Sequence, residues 1–119
     1  MSEEFIKAAT REINEEISGI QNILRYCKNN SDLSTNADKI HKHTHKIKGL
    51  ASMINKNDLG LVSSLLDSIL PKIMKDNQLD DLLRLFTMAI NEMNHSMISS
   101  NYDLNDIKKH VSKITSNLS

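Results

Sequence analysis

Apolar residues recur every three or four positions through almost the whole chain. That period predicts helices, because only a helical turn brings such residues onto one face. The first run is Phe5, Ile6, Ala9, Ile13, Ile17, Ile20 and Leu24, which predicts a helix over about residues 3–28. Ser2 followed by Glu3 and Glu4 suits its start, where acids complement the helix dipole. The polar stretch KNNSDLSTN (28–36) reads as a loop. A second helix is expected over about 36–55, capped by Thr35 or Asn36, with Ile40, Thr44, Ile47, Ala51 and Ile54 as its buried stripe.

After a break at NKND (55–58), a third segment directs Leu59, Val62, Leu66, Ile69 and Ile73 inward, with Leu65 and Leu70 widening the stripe. Pro71 lies late in this segment and predicts a kink or an early end. KDNQ (75–78) reads as a loop, followed by a helix carrying Leu79, Leu82, Leu83, Phe86, Ala89, Ile90, Met93 and Met97. SSNYD (99–103) breaks that helix, and a shorter one offers Leu104, Ile107, Val111, Ile114 and Leu118. Four long helices on short connections, plus one shorter helix, predict an all-α antiparallel four-helix bundle with an additional C-terminal helix. With 119 residues the chain has the length of one domain, and three glycines and one proline leave few punctuating positions.

Charge and composition narrow the partners. Lys plus Arg and Asp plus Glu number 15 each, so there is no basic excess for coating nucleic acid or for polybasic membrane attachment. Phe5, Tyr26, Phe86 and Tyr102 are the aromatic residues, too few to stack on single-stranded bases. No apolar run reaches the roughly 18 residues of a membrane span. The acidic, amphipathic start is unlike a secretory signal, and the lone Cys27 cannot form an internal disulfide. These features read as a cytoplasmic, monomeric protein. The initial Met and the polar ending KITSNLS read as a complete chain. Cys27 reads as a small half-buried residue, Met88, Met93 and Met97 as core or core-edge filler, and His95 and His110 as solvated.

The stretch HKHTHKIKGLASMIN (41–55) carries three of the five histidines. With Ile40, Thr44, Ile47, Ala51 and Ile54 inward, a rotation of about 100° per residue puts His41, His45, Lys48, Gly49 and Ser52 on the solvent side. His43 falls on the flank. A glycine inside a helix costs about 1 kcal/mol relative to Ala. At position 49 it leaves the imidazole one turn earlier uncovered, so that a bulky group can reach it. Lys48 places a cation beside any anion attached to His45. Access and a counterion are what a phosphoryl-accepting histidine needs.

HKIKGLASMI (45–54) resembles the motif of histidine phosphotransfer (Hpt) domains: His, any residue, apolar, Lys, Gly, then small residues and an apolar position. His45, Ile47, Lys48, Gly49, Ala51, Ser52 and Ile54 fit it. The spacing onward to LGLVSSLLDSIL (59–70) resembles the phosphotransfer domain of chemotaxis sensor kinases, as does a bundle with a fifth helix. The residue-level likeness covers about 26 residues, 45–70.

The resemblance implies that His45 accepts and donates a phosphoryl group between a sensor histidine kinase and the receiver aspartate of a response regulator. It implies that Lys48 holds the phosphoryl oxygens and Gly49 admits the receiver. In the chemotaxis subtype an acid on the next helix orients the reactive imidazole, and the matching position is Asp67. His41, Ser52 and Ser64 would share the receiver-binding surface. The magnesium ion used in such transfer would sit on the receiver, so no cofactor is expected on this chain.

Four positions depart from the pattern. Ser64 stands where the subtype has a second histidine, Asp67 is one methylene shorter than its Glu, Leu50 replaces a small residue, and Asn55 replaces a frequent Gly. There is no Gly-rich nucleotide loop, so phosphate must come from another protein.

Two rival readings remain. One is a non-catalytic helical adaptor, a degenerate Hpt domain that binds a receiver without exchanging phosphate. The other is a metal site on His41 and His45, which have the four-residue spacing of a helical chelating pair. Against it, no acid or cysteine clusters with them in the sequence, and the nearest acid is Asp38.

Overall fold

The computed structural model describes residues 2–75 and 81–118. The described residues form six helices and no strand. They are α1 (Glu3–Arg25), α2 (Asn30–Thr35), α3 (Ala37–Met53), α4 (Asn57–Lys75), α5 (Leu82–Ile98) and α6 (Asn105–Asn117). Helices α1, α3, α4 and α5 make a closed ring of contacts, with α3 against α4 the most extensive pairing. This is the antiparallel four-helix bundle, with α6 laid against α4 and α5 as the additional helix.

The stripes read from the sequence make the core. Ile13, Ile17 and Ile20 of α1, Ile40 and Ile47 of α3, Val62, Leu66, Ile69 and Ile73 of α4, and Phe86, Ala89, Ile90 and Met93 of α5 are all fully buried. Fully burying one such large side chain contributes about 1.5–3 kcal/mol, so this common interior is the main favourable term. One assignment is corrected: Ile6, expected in the buried stripe of α1, is 41% exposed, because it lies at the margin of that stripe. Met88, read as core or core-edge filler, is 46% exposed, whereas Met93 is fully buried. Leu33, Ala37 and Leu85 join the core in addition. Of the loop expected over 75–78, Lys75 belongs to α4, and residues 76–78, like Leu79, lie outside the described residues.

The segment expected as a loop contains α2. Asn29 caps it by accepting from the Asp32 amide at 3.0 Å, and Asp32 accepts in return from the Lys28 amide at 2.8 Å. That exchange is close to a capping box. The next residue, Asn30, is buried and turns its side-chain oxygen to the first amides of α5, Leu82 at 3.0 Å and Leu83 at 3.1 Å. A six-residue helix therefore satisfies amides that the start of α5 would otherwise leave unpaired.

Pro71 does not end α4, which continues to Lys75. Its missing amide leaves the Asp67 carbonyl without its helical partner, and burial of Ile69, Leu70 and Ile73 around it holds the turn.

Helix α3 ends in a Schellman turn. Asn55 takes a left-handed conformation at φ 62°, and the Lys56 amide reaches back to the Ala51 carbonyl at 2.9 Å. A side-chain amide thus serves where glycine is more frequent.

Cys27 is half-buried, as expected. Burial and the nearby Asp32 carboxylate push its thiol up, against a weaker opposing hydrogen bond from Asn36, so it stays protonated and unreactive at neutral pH. His95 and His110 are exposed, and the His95 ring lies 5.6 Å from that of Tyr102.

Ser63 is fully buried, and its hydroxyl has no partner among the described residues. Ser63→Ala is expected to raise stability by about 1 kcal/mol, read from urea denaturation, because it removes an unsatisfied polar group.

Candidate functional site

Helix α3 is built so that one stripe is fixed and the opposite one free. Ile40, Thr44, Ile47 and Ala51 are fully or almost fully buried, and this locks the helix's rotation. His41, His45, Lys48, Gly49 and Ser52 are consequently exposed. Lys39, Lys42, Lys46 and Lys48 stand against Asp38 alone, which makes α3 a cationic helix in a chain of zero formal net charge. Lys48 has no ion-pair partner among the described residues, so its ammonium is available to an incoming anion.

The glycines of α1 and α3 differ in their surroundings. A Cβ placed on Gly19 would lie 2.5 Å from the His43 ring, so that glycine makes room for the imidazole where α1 meets α3. The ring is held there by Glu16, 2.9 Å from its Nδ1. His43 is therefore a half-buried packing residue, as its place on the flank suggested. The hollow of about 430 Å³ beside it is lined by Glu16, Gly19, Lys39 and Lys46 and does not include His45.

Gly49 is the opposite case. A Cβ there would meet nothing within 4 Å, so no neighbour inside the molecule requires a glycine. Gly49→Ala is expected to stabilise the fold by about 1 kcal/mol, the full helix-propensity difference, measured as a rise of the thermal midpoint. A loss of stability would mean that Gly49 is kept for packing.

Helix α4 runs back along α3, and its register decides what faces the histidines. Gly60 sits opposite Lys48 and Ala51, its would-be Cβ 3.6 Å from each nearest atom. Two turns later Asp67 reaches Thr44 and His41. The Thr44 hydroxyl makes a short hydrogen bond to Asp67 Oδ1, and the same oxygen lies 3.1 Å from His41 Nδ1. An ionised carboxylate only accepts, so the Thr44 hydroxyl is the donor. Asp67 is thereby placed on His41, the neighbouring histidine, and not on His45 at hydrogen-bond distance. The two rings stand 5.7 Å apart and 37° off parallel.

One nitrogen of each ring and an oxygen of Asp67 fall within 4.8 Å of one another. The sequence-based statement that no acid clusters with His41 and His45 is corrected by this: the acid comes from α4, 22 residues beyond His45.

Ser52 is exposed and donates to the Gly49 carbonyl at 2.9 Å, while Ser64 is half-exposed on α4. Leu50 turns toward the core and packs partly buried against it.

One residue was not legible as part of the site: Thr44 read as a member of the core stripe, and its hydroxyl reaches Asp67 as well as the Ile40 and His41 carbonyls. His41 was expected on the receiver-binding surface, and it carries the carboxylate contact expected for His45.

No family model matches the sequence, and neither a curated protein nor a solved structure matches it. Among the described residues no helix is long and apolar enough to cross a membrane.

Proposed function

We propose that this chain is a histidine phosphotransfer protein of a two-component phosphorelay, with His45 as the phosphoryl carrier. The observation that carries the reading is the open space over Gly49, one turn beyond an exposed imidazole and next to Lys48, which has no ion-pair partner among the described residues. A mid-helix glycine that nothing inside the molecule requires is accounted for by something outside it, a partner that must approach His45 closely.

The chemistry is a transfer of one group. A lone pair of the His45 ring attacks the phosphorus of the donor. The N–P bond forms as the donor's P–O bond breaks, the bonding electrons leave on the donor oxygen, and the ring proton passes to solvent. In the onward step a carboxylate oxygen of the receiver aspartate attacks phosphorus, the N–P bond breaks, and the imidazole recovers a proton. Lys48 offsets the charge of the phosphoryl oxygens in both steps. A magnesium ion would belong to the receiver, and the kinase to another cytoplasmic chain.

A second reading is favoured by one contact. Asp67 holds His41 and Thr44, and among the described residues no carboxylate lies directly on the His45 ring. A module that docks a receiver without exchanging phosphate would tolerate that. Incubation of the protein with a phosphorylated receiver decides between the two. Transfer of acid-labile, alkali-stable label to the chain supports the carrier. Receiver binding with no label transferred supports the adaptor.

A further inference from the structure

The cluster of His41, His45 and Asp67 has a geometry that phosphotransfer alone does not use. We infer that these three side chains form a binding site for a divalent transition-metal ion, zinc in the first instance, in a His₂Asp arrangement open to solvent. Borderline ions of this kind take imidazole nitrogen and carboxylate oxygen together.

The distances fit. In a tetrahedral site with bonds of about 2.0 Å, neighbouring ligand atoms stand roughly 3.3 Å apart. His41 Nδ1 and Asp67 Oδ1 are already at 3.1 Å. All three donor groups lie within 4.8 Å, and His45 is exposed on a helix face, so a rotamer adjustment of its ring closes the remaining gap. An ion bound between His41 Nδ1 and Asp67 would shift the single ring proton of His41 from Nδ1 to Nε2, and water would fill the open position.

The surrounding structure supports a ligand role for Asp67. Its carboxylate is largely shielded, with 17% of the side chain exposed, and the buried Thr44 hydroxyl fixes one oxygen. Metal-bound carboxylates are oriented by hydrogen bonds of this kind. His41, at 57%, faces solvent and leaves the ion a way in. The two histidines are four residues apart on a helix whose rotation is fixed by its buried stripe, so both leave the backbone on one face.

Metal binding does not depend on the phosphotransfer reading, but its consequence does. A neutral imidazole has one in-plane lone pair, and its other nitrogen carries the proton. An ion on His45 uses that lone pair whichever nitrogen it chooses. A metal-loaded chain therefore cannot accept phosphate, and zinc would act as an inhibitor of the carrier.

Calorimetric titration of the whole, metal-free chain with zinc chloride tests the site. One equivalent should bind to the wild type. His41→Gln, His45→Gln and Asp67→Asn should each weaken binding at least about 10-fold, and Thr44→Val, which removes only the orienting hydroxyl, by about 10- to 100-fold. His110→Gln should bind as the wild type does. Absence of stoichiometric binding, or wild-type affinity in both His41→Gln and Asp67→Asn, overturns the proposal. In a parallel assay saturating zinc should block labelling of the wild type by a phosphorylated receiver but not labelling of His41→Gln. A wild type that takes no label without zinc counts against the phosphotransfer reading, while the titration still decides the metal site.

Discussion

His45→Gln is expected to abolish phosphoryl uptake altogether while leaving the fold intact. The loss should be complete because the variant removes the lone pair that forms the N–P bond, and an amide nitrogen offers no substitute. The fold should survive because the ring is exposed on the α3 surface and holds no buried partner, so stability should change by no more than about 0.5 kcal/mol. Circular dichroism and urea denaturation check the second half of the expectation, and label transfer from a phosphorylated receiver checks the first.

The test is sharpened by His41. Its Nδ1 faces Asp67, which orients the ring and leaves Nε2 as the nitrogen with the lone pair. On that ground alone His41 would be the acceptor. What it lacks is a glycine one turn on to clear space for a docked partner, and a cation beside it. The residues one turn beyond it are the buried Thr44 and the ring of His45, whereas those one turn beyond His45 are Lys48 and Gly49. If orientation by a carboxylate outweighs access and charge, His45→Gln will still take label and His41→Gln will not. That result would move the reactive centre by one helical turn.

The long helices were legible because their signal is local. Each carries three or more turns of apolar residues at one period, and burial of that stripe is what holds them. Helix α2 was not legible for the converse reason. Six residues are too few to show a period, and its roles are met by Asn29 and Asp32 at its own start and by Asn30 at the amides of α5, more than fifty positions away in the chain. Pro71 misled in a similar way. Its local rule ends helices, but the buried residues on both sides of it keep α4 going.

The site divides along the same line. Exposure of His45, Lys48 and Gly49 follows from the rotation of one helix whose inward face is evident. The partner of Asp67 depends on the register of α4 against α3, which is set by the turn at Asn55 and the close approach of Gly60. A slip of one turn along that pairing exchanges His41 for His45, and spacing within the sequence cannot fix it. The contact between Asp67 and the Thr44 hydroxyl, which also lies within reach of the Ile40 and His41 carbonyls, marks the register that the structure adopts.

Lys48→Ala is expected to slow transfer by about 100-fold while changing stability by less than about 0.5 kcal/mol. The size follows from the charges involved. Two unit charges about 4 Å apart interact by roughly 1 kcal/mol in water and about 4 kcal/mol at an effective dielectric near 20. A docked receiver excludes water from the space between Lys48 and the phosphoryl oxygens, which favours the upper part of that range. A loss of about 2.7 kcal/mol is a factor of about 100 in rate.

Folding draws nothing comparable from this side chain. Lys48 is exposed and has no ion-pair partner among the described residues, and the carbonyl it presents toward Gly60 is backbone that Ala supplies equally well. Lys48→Arg separates charge from shape: it keeps the cation but replaces a compact ammonium with a planar fork, and should retain part of the rate. Rates of transfer from a phosphorylated receiver, set beside urea midpoints for the same three proteins, give the comparison. An unchanged rate in Lys48→Ala would remove the lysine from the mechanism, and parallel losses of rate and stability would make it a structural residue.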